Sequence, residues 1–78
     1  MRQMQLKILS LLNTLVNVEA ITPESSKAIA RGYMENGDLD EVICGIYSSG
    51  FDVAKMSEIQ DVTGKIEDMK ERAAAEQR

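Results

Sequence analysis

Residues 36–53 read Asn-Gly-Asp-Leu-Asp-Glu-Val-Ile-Cys-Gly-Ile-Tyr-Ser-Ser-Gly-Phe-Asp-Val, and this stretch decides the fold. It holds two helix stops and two helix starts. Gly37 suits the left-handed position that closes a helix. Asp38 follows it, with Glu41 three residues later, the spacing of a capping box. Leu39, Val42, Ile43, Ile46 and Tyr47 then recur at helical spacing, which predicts a short helix from Leu39 to Ser48. Ser48-Ser49-Gly50 ends it, and Asp52 is placed to cap another helix starting near Val53.

Upstream, Ile21-Thr22-Pro23-Glu24 is a helix start. Thr22 can cap, Pro23 loses no bond at the first helical position, and Glu24 meets the positive end of the dipole. That helix runs to about Asn36 with a modest apolar content: Ala28, Ile29, Ala30, Tyr33 and Met34. Before it, Met4, Ile8, Leu11, Leu15 and Val18 are spaced 4, 3, 4 and 3 residues apart, predicting a long first helix from about Arg2 to Val18. Leu9, Leu12 and Val16 widen its apolar arc beyond what one surface helix needs. Gln3, Lys7, Ser10, Thr14 and Asn17 fall on its polar side.

Downstream, Val53, Met56, Ile59, Val62, Ile66 and Met69 predict a long last helix. Gly64 lies inside it and costs about 1 kcal/mol relative to alanine, so a weak point or bend is expected there. Asp68 and Arg72 are spaced for an i,i+4 ion pair. The charged tail 70–78 is expected to fray into solvent. No alternating β-branched or aromatic run accompanies these caps. The expectation is an all-α fold: one domain over 1–78, a compact bundle of about four helices with long first and last members.

A chain of 78 residues buries only roughly 60–65% of its unfolded surface. Such scaffolds gain stability from disulfides, metals or association. Cys44 is the single cysteine and there is no histidine, so neither an internal disulfide nor a metal centre is expected, and no cofactor motif is present. Association remains, and a homodimer through Met4, Ile8, Leu11 and Leu15 is expected. The same stripe equally fits the core of one chain.

Thirteen acids against nine bases give a net charge of −4. Between Arg31 and Lys55 there is no base but there are five acids, Glu35, Asp38, Asp40, Glu41 and Asp52. Direct nucleic-acid binding needs a basic stripe to displace counterions, and none is visible. The acidic patch Glu35, Asp38, Asp40 and Glu41 is instead expected to meet a protein partner with a basic surface. No run of about 18 apolar residues or secretory signal pattern occurs, so no membrane role is expected. An unpaired cysteine fits a reducing cytoplasm.

Catalysis finds little support. Histidine, the usual acid–base group, is missing, and the carboxylates sit at caps. A calcium loop starting at Asn36 fails, because Glu41 or Val42 occupies the position that needs glycine. Cys44 has acidic neighbours and no nearby base, the setting of a small core residue and not of a reactive thiol. Asn36-Gly37-Asp38-Leu39, leading into a helix with Val42 and Ile43, resembles the second half of ubiquitin-binding three-helix modules over 28–46. The signature loop of their first half is absent, and no function is carried over. The functional expectation is a small non-enzymatic protein-binding regulator or inhibitor, of the phage-inhibitor or immunity-protein type. The alternative is a small helix-turn-helix transcriptional regulator reading DNA through the helix after Asp52, which carries Lys55 but also Glu58 and Asp61.

Overall fold

A computed structural model describes residues 2–76. Four α-helices follow in order: α1 (Arg2–Asn17), α2 (Pro23–Asn36), α3 (Leu39–Ser48) and α4 (Met56–Glu76), with a 3-10 turn at Val53–Lys55 before α4. No strand occurs among the described residues.

The caps explain most boundaries. Thr22 takes the Ser25 N–H on its hydroxyl at 3.1 Å and opens α2. Gly37 closes α2 with φ of 64°, its N–H bonding the Tyr33 carbonyl at 2.7 Å. Asp38 opens α3, but its carboxylate takes the Asp40 N–H at 2.9 Å. The return arm of the expected capping box does not form: the Glu41 carboxylate accepts from Asn36 Nδ2 at 3.0 Å. That bond links the last residue of α2 to the first turn of α3. Asp52 caps the 3-10 turn through the Ala54 N–H at 3.0 Å, not α4 itself, so the last α-helix begins three residues later than the apolar pattern implies.

The end of α1 is the least expected junction. Glu19 adopts φ of 62°, in the left-handed region that favours glycine. Its N–H bonds the Val16 carbonyl at 3.0 Å and the Ala20 N–H bonds the Leu15 carbonyl at 2.8 Å. These are the two bonds of a Schellman motif. Ala20 and Leu15, the positions of its usual apolar contact, are both buried. Asp52 N–H bonds the Ala20 carbonyl at 3.1 Å and so ties the α3–α4 connection to the α1–α2 connection.

The core is continuous across all four helices. Ile8, Leu12 and Leu15 from α1, Tyr33 from α2, Val42 and Ile46 from α3, and Ile59, Val62 and Ile66 from α4 are all buried in it. Each fully buried Ile or Leu contributes about 1.5–3 kcal/mol relative to exposure. Gly45 lets α3 approach α2 closely: a Cβ there would sit 3.0 Å from Ile29 Cγ1. Thr63, buried in α4, shares a 3.2 Å hydrogen bond with the Tyr47 hydroxyl. Tyr47 also packs edge-to-face on Phe51, ring centroids 5.9 Å apart.

α4 continues as α-helix through Gly64 and on to Glu76. The charged tail is therefore helical as far as it is described, while residues 77–78 lie outside the described residues. Asp68 and Arg72 do not form the expected ion pair. Lys65 lies 3.9 Å from Asp61, and Lys70 reaches across to Asp40 at 2.8 Å. No helix among the described residues is long and apolar enough to cross a membrane.

Candidate protein-binding surface

The four expected acidic residues come together at one corner. Glu35 lies on the last turn of α2, Gly37 turns the chain, and Asp38, Asp40 and Glu41 form the cap and first turn of α3. All four are exposed. For Asp38, Asp40 and Glu41 the reason is local, since carboxylates at a helix N-terminus meet its positive dipole end. Three have an internal role as well: Asp38 caps, Glu41 holds Asn36, and Asp40 pairs with Lys70. Glu35 has no ion pair among the described residues.

Lys70 was not visible from sequence as part of this corner. It stands on α4, thirty residues from Asp40, and also lies 3.8 Å from Glu67. The Asp40 hydrogen bond, then the Asp40 and Glu67 charges, raise the Lys70 pKa above its ordinary value. A concavity of about 400 Å³ lies beside the pair, lined by residues that include Asn36, Asp38, Leu39 and Ala73. The corner is thus an acidic rim with Lys70 set into it.

The apolar stripe divides. Ile8 and Leu15 are completely buried within one chain. They are core residues and offer no surface for self-association, because α1 packs against α2 and α4 and buries both side chains in the shared core. Met4 and Leu11 are half-buried and line a groove between α1 and α4. The groove has two lobes of about 410 and 350 Å³ that share Lys7, Met69 and Arg72. Gln3 and Met4 lie with Ala73 and Glu76, and Ser10 and Leu11 with Lys65 and Asp68, so the two helices run antiparallel.

Cys44 is exposed, contrary to its expected place in the core. Val42 and Ile46 face inward on either side of it, and a residue two places from each points away from the core face. Among the described residues the large exposed apolar side chains are Leu6, Met34, Tyr47 and Val53; Leu6 lies outside the apolar arc of α1. Among the described residues no group of three or more His, Cys, Asp or Glu side chains is placed to hold a metal.

Comparison of the sequence with protein-family models found no match. Comparisons with curated proteins and with solved structures found none either.

Proposed function

We propose that this chain is a small non-catalytic protein-binding regulator or inhibitor, and that its acidic corner engages a basic surface on another protein. The observation that carries this reading is the gathering of Glu35, Asp38, Asp40 and Glu41 on one exposed corner of a well-packed bundle. Charge of one sign on a rigid corner steers an oppositely charged partner and fixes its register. The chain also self-associates in this reading, through the part of α1 that the core leaves uncovered, and it works in the cytoplasm.

A DNA-reading role for α4 meets a charge obstacle. From Met56 to Glu76 it carries six acids and three bases, and a phosphate backbone repels that balance. The test is affinity capture from native lysate with and without nuclease. A stoichiometric protein retained after nuclease supports the regulator. Recovery abolished by nuclease supports the helix-turn-helix alternative and overturns the proposal.

A further inference from the structure

We infer that the second copy of this chain docks along α4, antiparallel, beside the α1–α4 groove. This deepens the self-association reading above and rests on it.

The argument starts from Asp61, Lys65, Asp68 and Arg72. Their spacings of 4, 3 and 4 residues place them within an arc of about 60° on α4. All four are exposed, and three of them line the groove whose floor is Leu11 and Met69. Their signs alternate. A partner of one sign would meet repulsion at every second position. A partner with the same alternation, reversed in direction, meets none.

Two antiparallel copies of α4 related by a two-fold axis between residues 66 and 67 set Asp61 against Arg72 of the second copy and Lys65 against its Asp68. The two-fold repeats both contacts, so every member of the stripe meets an opposite charge. Other antiparallel registers fail: they pair Lys65 with Arg72, or Asp61 with Asp68, or leave members unpaired. A parallel in-register pair sets each charge on its own like. Within one chain the stripe is poorly satisfied, with Lys65–Asp61 at 3.9 Å its single ion pair among the described residues. The arrangement also draws the second copy over the half-buried Leu11 side of the groove.

The contact is small. Two helices side by side, each about 10 Å wide and about 25 Å long, present roughly 500 Å² per copy. A total of about 1,000 Å² is the lower end for a specific interface, so a reversible dimer with a dissociation constant on the order of 10–100 µM is expected.

Sedimentation equilibrium from about 5 µM to 1 mM tests this, on the wild type, Lys65→Glu, and the swap Lys65→Glu/Asp68→Lys. Lys65→Glu turns two attractions into two repulsions, and about a 30-fold weaker dimer is expected. The swap recreates an opposite-charge pair across the axis and returns the dimer to within about threefold of wild type. Circular dichroism checks that all three keep their helicity. A wild type that stays monomeric at 1 mM overturns self-association itself. A wild-type dimer indifferent to Lys65→Glu, or not restored by the swap, overturns this surface and leaves self-association standing.

Discussion

Replacing Glu19 with glycine should stabilise the protein, although it removes every side-chain atom at that position. Glu19 holds φ of 62° to let α1 end in a Schellman motif. A non-glycine residue in the left-handed region costs about 1–2 kcal/mol. The exposed carboxylate also sits at the negative end of the α1 dipole, an unfavourable placement of about 0.3–1 kcal/mol. Against these gains, glycine adds conformational freedom to the unfolded chain, a loss of about 0.4–1 kcal/mol. The net expectation for Glu19→Gly is a gain of about 1 kcal/mol, or roughly 4–8 °C in Tm for a domain of this size. Urea denaturation followed by circular dichroism measures it, with Glu19→Gln as the control for charge alone. The glutamine variant should recover only the dipole part, about 0.3–1 kcal/mol. If glycine stabilises no more than glutamine, the left-handed turn is not where the free energy lies and the reasoning fails.

Three further outcomes follow from the packing and the titratable groups. Gly64→Ala should stabilise by about 1 kcal/mol, because nothing lies within 4 Å of the new Cβ in mid-helix. Gly45→Leu should destabilise instead, since Ile29 already stands 3.0 Å from the Cβ position; thermal melts of both should move in opposite directions. Ile8→Ala should cost about 2–5 kcal/mol as a cavity in the monomer core, and Leu11→Ala clearly less; equal losses in chemical denaturation would contradict the division of the α1 stripe. Stability should also decline at high pH. Burial raises the Tyr33 pKa, and the Asp40 hydrogen bond raises that of Lys70. Both groups bind their protons more tightly folded than unfolded, so their contributions are complete below about pH 10 and fade as pH rises through the folded values. A urea midpoint unchanged from pH 8 to pH 11 would show that neither shift operates.

Much of this fold is written locally. Thr22-Pro23, Gly37-Asp38 and Ser49-Gly50 mark boundaries through the backbone chemistry of the residues themselves, which is why α2 and α3 begin and end where the sequence places them. The end of α1 is harder to read, because a glutamate occupies a position that ordinarily announces itself with glycine. The role of the Met4–Leu15 stripe is unreadable for another reason. Helical spacing states which residues share a face, and says nothing of whether that face meets the same chain or another. Only the packing separates Ile8 and Leu15, which are buried, from Met4 and Leu11, which remain partly open.

The candidate surface follows the same division. Its carboxylates were legible as a run of acids without a base. Its cation was not, because Lys70 joins Asp40 through the tertiary fold over thirty positions. The α4 charge stripe could have been found from its 4, 3, 4 spacing. Its place beside a groove could not, since that depends on α1 running antiparallel alongside.

The central claim is that the acidic corner recruits a basic protein partner. Capture from native lysate with the double variant Glu35→Lys/Glu41→Lys, beside wild type at equal helicity, tests it most directly. Neither residue caps a helix or lies in the core, and the Asn36–Glu41 bond that the variant gives up is exposed, so the bundle should remain folded, which the matched helicity checks. The account predicts that the nuclease-resistant partner of the wild type is lost from the variant. The same partner recovered in equal amount by both proteins would contradict it.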